Sequence, residues 1–245
     1  MNKLKRFYAI DKPNDGLFTL SGQEFIHAKN VMRLREKDQI IICCGDGIDY
    51  ICEICQTTKD EFICKIIGQE QNLCDSKISI TLYQAQVKAD KLELIAQKVS
   101  EIGITKLVPF TSEFCVVQGE LSKQKLERLN KIAIESAKQC GRSQALIIEN
   151  NRNFDAVVSE LDAYDLVIFA YENAKTERIG QIVGKYKDIA VIVGSEGGFS
   201  QSECEKLCSL PNVHCITLGR RILRAETAAI VSCALVMEKF ENIDN

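Results

Sequence analysis

Hydrophobic and polar positions follow one rhythm up to about residue 72 and another beyond it. In the first stretch the apolar residues come in short β-leaning runs. Ile40-Ile41-Ile42-Cys43-Cys44 is followed by Gly45-Asp46-Gly47, a turn with Asp-Gly hairpin chemistry, and a return strand from Ile48 to Ile54; Phe62 to Ile67 supplies another. Between Ser21 and Leu34, Phe25, Ala28 and Val31 with Met32 recur at helical spacing, behind a Ser21/Glu24 capping-box pattern. The pattern predicts a small barrel of short strands carrying one or two helices.

After the polar stretch Gly68 to Lys77, strands and helices alternate. Strand Ile78 to Gln84 leads into a helix whose stripe is Leu92, Ile95, Val99 and Ile102, with Asp90 as N-cap, Glu93 completing a box and Gly103 as the stop. Strand Ile104 to Phe110 precedes a helix over Lys123 to Cys140. Strand Ala145 to Glu149, helix Phe154 to Leu161, strand Asp165 to Tyr171 and a helix near Glu177 to Lys185 come next. Strand Ile189 to Val193, helix Gln201 to Leu207 with the box Ser200/Glu203, and strand Val213 to Leu218 lead to a closing helix patterned on Ala229, Ile230, Cys233, Ala234, Met237 and Phe240. Such alternation predicts a mostly parallel α/β sheet with helices on both faces, so the chain divides into domains 1–72 and 73–245.

Two corners in the second domain carry unusual chemistry. Strand Ala190 to Val193 runs into Gly194-Ser195-Glu196-Gly197-Gly198-Phe199-Ser200. About twenty residues later, Leu218 meets Gly219, then Arg220, Arg221 and Arg224 before the last helix. Strand carboxyl ends in α/β sheets are where ligands bind, because backbone N–H groups and helix starts are exposed there. Two such corners in succession predict one pocket built from both.

Composition narrows the choice. No apolar run approaches the about 20 residues a bilayer span needs, and Phe7 to Ile10 gives way at once to Asp11 and Lys12, so no secretory h-region forms. A cytoplasmic location is expected, with no membrane partner. Twelve cysteines in so long a chain without an export signal read as reduced, buried small hydrophobes. Cys52 and Cys55 sit three apart on a strand and point to opposite faces; Cys204 and Cys208, four apart on a helix, share a side, but no second pair completes a metal set. No metal is expected. His214 lies inside a strand and reads as a core residue. With a net charge of -3, nucleic-acid contact has to rest on local patches: Lys3/Lys5/Arg6, Lys29/Arg33/Arg35/Lys37, Lys138/Arg142 and Arg220/Arg221/Arg224.

The glycine-rich turn is neither a GxGxxG fingerprint nor a P-loop, and no GxSxG or Cys/His pattern supports a nucleophile. A reaction that needs positioning and a reactive cosubstrate fits best.

Val193-Gly194-Ser195-Glu196-Gly197-Gly198-Phe199-Ser200, taken with Leu218-Gly219-Arg220-Arg221-Ile222-Leu223-Arg224-Ala225-Glu226-Thr227-Ala228, closely resembles the paired signature of the RsmE family, SPOUT-class methyltransferases of small-subunit ribosomal RNA. His27 to Leu34 with Gly45-Asp46-Gly47 is similar to the family's PUA-like domain, and Lys91 to Pro109 and Gln139-Cys140-Gly141-Arg142 resemble its middle motifs. Ser195 stands where the family usually has proline, and Phe114 where it usually has arginine.

The resemblance implies a trefoil-knotted SPOUT domain behind a PUA-like β-barrel, acting as a homodimer. It implies S-adenosylmethionine as methyl donor and N3 of a uridine in 16S ribosomal RNA as acceptor, in naked RNA or the small subunit. Gly194, Glu196, Gly197, Leu218, Gly219 and Leu223 would cradle the donor. Arg224 would stabilise the uracil anion, Glu226 would orient Arg224, and Arg142 is a further catalytic candidate. Arg6, Arg33 and Arg35 would hold RNA backbone. Two other readings stay open: a non-catalytic RNA-binding or ribosome-assembly factor with this fold, and a SPOUT methyltransferase acting on a different RNA position. An ordinary doubly wound nucleotide enzyme would need an acid about twenty residues past a GxGxxG turn, and that combination is absent.

Overall fold

The computed structural model describes residues 4–171 and 177–241. Lys3 of the first basic patch lies outside them. Two compact units are present. The first comprises residues up to Asp75 together with Ala137–Ala145; the second comprises Ser76–Ser136 and the chain from Leu146 on.

In the first unit, β1 (Lys5–Tyr8), β2 (Leu17–Ser21), β3 (Gln39–Cys43), β4 (Ile48–Thr57) and β5 (Glu61–Gln71) form one curled sheet in the order β1-β3-β4-β5-β2. β1 pairs with β3 in parallel, and the other pairings are antiparallel. The Gly45-Asp46-Gly47 turn closes the predicted β3–β4 hairpin, with both glycines at positive φ where a Cβ would be strained. Alternate residues of each strand point inward, so Phe7, Phe18, Leu20, Ile40, Ile42, Cys52, Ile54, Phe62 and Cys64 make the core, with Phe25 stacked edge-on against Phe62. Cys52 is buried and Cys55 exposed, as alternation on a strand requires.

The predicted helix of this unit is shorter and irregular. α1 (Gly22–Ile26) passes into a π-helical turn over His27–Val31, which carries Val31 and Met32 to the surface while Phe25 and Ala28 stay inside. Ser21 makes no side-chain cap: the Glu24 carboxylate accepts from the Tyr8 N–H and pairs with Lys138 instead.

The second unit is a parallel sheet. β6 (Ser79–Ala85), β7 (Lys106–Thr111), β8 (Ile147–Ile148), β10 (Leu166–Ala170), β11 (Asp188–Val193) and β12 (Val213–Ile216) lie in the order β12-β10-β11-β6-β7-β8, and the short β9 (Arg152–Asn153) also pairs with β7. Both faces are covered, which is why the strands read as unbroken apolar runs. Ile80, Leu82, Leu166, Ile168, Ile189, Val191 and Val193 face one core, shared with α2 (Ala89–Ile102), α3 (Lys123–Cys140) and α6 (Ala225–Glu241). Tyr83, Val167, Phe169, Ala190 and Ile192 face the other, with α4 (Phe154–Glu160) and α5 (Gln201–Cys208).

Gly103 ends α2 at φ 108, as its position predicts. The N-cap is Lys88, and Asp90 sits inside the first turn. The box Ser200/Glu203 opens α5 with both hydrogen bonds made. A helix over Glu177 to Lys185 does not form: among the described residues there is only the 3-10 turn Ile179–Gln181, and Gly184 at φ 145 turns the chain away.

His214 is no core residue. Its Nδ1 meets the Glu177 carboxylate at 2.8 Å, with a third of the side chain exposed. The expectation of uniformly reduced cysteine also fails at one pair. A short turn between α5 and β12 brings Cys208 and Cys215 to a Cα separation of 6.5 Å, and a disulfide joins them. Cys208 is therefore turned away from the buried Cys204.

The chain path at the centre of this sheet is unusual. It steps from β10 to its neighbour β11, jumps back over β10 to reach the edge at β12, and returns as α6 to lie over β11, β6 and α2. The turn Ile179–Gln181 packs on that returning helix, and Tyr186 meets Phe240 edge-on.

Candidate active site

β10 lies between β11 and β12, with Phe169 opposite Ile192 and Ala170 opposite Ile216. Strand spacing alone therefore puts the two loaded corners about 10 Å apart, on either side of the end of β10. A pocket occupies this position. Ala170 and Tyr171 form its floor, Thr217, Leu218, Gly219, Ile222 and Leu223 one wall, and Ala228 of α6 the other. Gly219 has φ 117 and no atom within 4 Å of where a Cβ would stand, so the backbone opens toward free space. The Thr217 hydroxyl accepts the Gly219 N–H at 3.2 Å, fixing the bend.

Of the predicted cradle, Leu218, Gly219 and Leu223 line this pocket. Gly194, Glu196 and Gly197 do not line it; they form the turn at the adjacent end of β11. That turn is tightly specified. The buried Gln84 amide donates to the Gly194 carbonyl at 3.1 Å, and the Gly198 N–H donates to the Ser195 carbonyl at 3.1 Å. The Ser195 hydroxyl accepts the Gly197 N–H at 3.3 Å, so serine in place of proline contributes a hydrogen bond to the turn. A Cβ on Gly194 would come within 2.9 Å of the Phe199 ring, and one on Gly197 within 2.8 Å of Phe114 Cβ. Phe114, about half exposed, thus presses on the turn.

Glu226 stands in the first turn of α6, and Arg224 is exposed just before it. The Lys91 ammonium, from the first turn of α2, reaches Glu196 at 2.8 Å and Glu226 at 3.4 Å. Burial would raise the Glu196 carboxyl, but Lys91 and nearby backbone N–H groups hold it below the usual carboxylate range. The hydrogen bond to Glu196 raises the Lys91 ammonium in turn. Pattern reading did not single out Lys91; two lysines at the start of a helix, Lys88 and Lys91, were the available signal.

A second and larger cavity, of about 610 Å³, lies beside the same unit's β7, lined by Ser112, Glu113, Phe154, Asp155, Glu203 and Lys206 among others. Two pairs of its polar groups are joined across it: Lys206 with Asp155, and Glu203 with the Glu113 N–H. It holds none of the predicted donor residues.

Two predicted functional arginines are placed otherwise than expected. Arg6 donates to both oxygens of Asp49 at 2.5 and 2.6 Å and keeps 11% of its side chain exposed, so it is not presented for RNA. Arg142 is 3% exposed, with its Nε 3.7 Å from Asp75, and its carbonyl accepts from the Tyr8 hydroxyl. Both arginines stitch the first unit together. Arg33 and Arg35 are exposed, Arg33 in the left-handed region at φ 57.

Among the described residues no cluster of His, Cys, Asp and Glu suits a metal, and no helix is long and apolar enough to cross a membrane.

An RNA methyltransferase domain model matches residues 74–237, and an RNA methyltransferase PUA domain model matches 20–67. The chain is 32% identical over 233 residues to a ribosomal RNA small subunit methyltransferase E of Bacillus subtilis, covering 91% of each protein. It is also 32% identical over 222 residues to the one of Rickettsia conorii, covering 89% of this chain and 88% of that one. A methyltransferase of Legionella pneumophila, solved with bound SAM, superposes with a TM-score of 0.84 at 26% identity, over 96% of this chain and 98% of that one. The parallel sheet over which α6 returns is accordingly the RNA methyltransferase domain, and the curled sheet before it is PUA-like. A domain model over 74–237 and relatives alike along nine-tenths of their length lead to one conclusion: the chain belongs to the RNA methyltransferase family of the ribosomal RNA small subunit methyltransferases E.

Proposed function

We propose that the chain methylates N3 of a specific uridine in 16S ribosomal RNA with S-adenosylmethionine as donor, working in the cytoplasm as a homodimer. The observation that carries this reading is the pocket at the end of β10, walled by Leu218, Gly219 and Leu223 and bordered by an exposed arginine loop. Its walls fit the donor: Leu218, Ile222, Leu223 and Ala228 offer apolar surface beside Tyr171, and Gly219 leaves room for close approach to main chain. When bound, the donor supplies an electrophilic methyl group on a sulfonium.

The chain's own work is to bind, orient and handle charge. Base pairing hides uracil N3, so the base has to be taken unpaired or flipped out. Its N3 proton has to pass to solvent water, and the anion that results, which takes the methyl as the sulfonium becomes a neutral thioether, calls for a cation. Arg224, exposed beside the pocket just before α6, serves that role, with Glu226, two residues on in the first turn, orienting it. The glycine turn at Gly194, Glu196 and Gly197 supports the donor from the β11 side. Arg33 and Arg35 hold RNA backbone, and Arg6 and Arg142 act through structure.

Mass spectrometry of 16S ribosomal RNA from a deletion strain, complemented with wild type or with Arg224→Ala, tests the reading. Loss of one N3-methyluridine on deletion, restored by wild type and not by the variant, is the expected result. An unchanged modification pattern on deletion overturns it.

A further inference from the structure

We propose that Lys91 is a positioning residue of the donor site: its ammonium ties Glu196, in the turn after β11, to Glu226, in the first turn of α6. The inference rests on the donor reading above. The turn does not line the pocket, whereas α6 does through Ala228, so something has to hold the turn and the helix in register. Lys91 Nζ does so at 2.8 Å from Glu196 Oε1 and 3.4 Å from Glu226 Oε2. The two carboxylate oxygens can be no farther apart than these contacts laid end to end. Without a cation between them they would repel, and the turn and α6 would drift apart.

Helix stability does not account for the lysine. Lys88 caps α2 and Lys91 lies in its first turn, where the helix dipole already presents positive charge and a carboxylate is the favoured residue. Lys91 is placed against that preference and is answered by two acids from elsewhere in the sequence. Glu226 keeps only 13% of its side chain exposed, so that arm is shielded more than an ordinary surface pair, while Glu196, 35% exposed, lies nearer to solvent. Lys91 does not line the pocket; it acts through the two carboxylates.

The test uses the full chain, titrated calorimetrically with S-adenosylmethionine and assayed on small subunits lacking the modification. Lys91→Met is expected to bind the donor roughly tenfold more weakly. Its KM for donor should rise in step, and by a larger factor than any fall in kcat at saturating donor. Lys91→Arg, which keeps the cation, should restore both constants. Glu196→Gln, with Lys91 intact, should weaken donor binding in the same direction, and combining it with Lys91→Gln should weaken binding no further than either change alone; that pair decides the matter if Lys91→Met does not fold. Donor affinity unchanged in Lys91→Met or in Glu196→Gln overturns the proposal, as does a Lys91→Arg defect equal to that of Lys91→Met. Wild type that binds no donor sinks the functional reading and this proposal with it; wild type that binds alongside unaffected variants sinks this proposal alone.

Discussion

The Glu203 carboxylate accepts the backbone N–H of Glu113 at 2.9 Å, ninety positions away, while its other oxygen caps α5 through the Ser200 N–H. One buried acid thus stitches the glycine-rich turn after β11 to the loop after β7. Glu203→Ala removes the acceptor for two N–H groups at a site 7% exposed. We expect it to cost about 2–3 kcal/mol in urea unfolding, with Glu203→Gln losing less because it keeps one carbonyl oxygen.

That loop also presses Phe114 onto the turn. A methyl group at position 197 would fall 2.8 Å from Phe114 Cβ and 2.9 Å from its carbonyl oxygen. Gly197→Ala should therefore destabilise by about 1–3 kcal/mol in thermal denaturation. Adding Phe114→Ala should recover little of it, because both contacted atoms remain.

The arginines of the first unit divide into two kinds. Alanine at Arg33 and Arg35 together should weaken RNA binding across sequences and reduce the slope of log affinity against log salt by roughly 2, with melting temperature unchanged. Arg6→Ala should do the opposite, lowering the melting temperature and leaving the salt slope as it was. Filter binding across a salt series, paired with thermal denaturation, separates them.

Asp49 gives an acid-side signature. Burial works to raise its carboxyl, but hydrogen bonds from Arg6 and Asn72 outweigh it and hold it below the usual value of 3.8. A depressed folded-state value means the stabilisation is complete above the unfolded-state pKa of about 3.9 and drains away as pH falls below it. Stability against pH should consequently fall less steeply below about pH 4 in Asp49→Asn than in wild type. Denaturant unfolding at pH 3 and pH 6 checks this.

Much of the architecture was legible because the second unit's strands are buried on both faces. Val191 and Ile192 had to be apolar alike, and such runs separated by amphipathic stretches leave few alternatives to a parallel sheet. The Ser200/Glu203 box and the Gly103 stop were readable because each works through neighbours in sequence. What pattern could not supply was pairing over distance. Arg6 and Arg142 looked like free cations because Asp49 and Asp75 lie far off in the chain, and Lys91 looked like ordinary helix surface because its two carboxylates come from later loops. Cys208 and Cys215 were misread for a related reason: the turn that joins them depends on how α5 meets β12.

Because α6 follows β12 and yet seats against β6 and α2, which come first in its unit, the order of synthesis matters. A nascent chain can pair β6 through β12 first, but Ala228 cannot reach its place until α6 itself has been made and has packed on the sheet. The pocket at the end of β10 is therefore complete only once α6 has been made, and a chain cut before Ala228 would lack one of its walls even with both corners present.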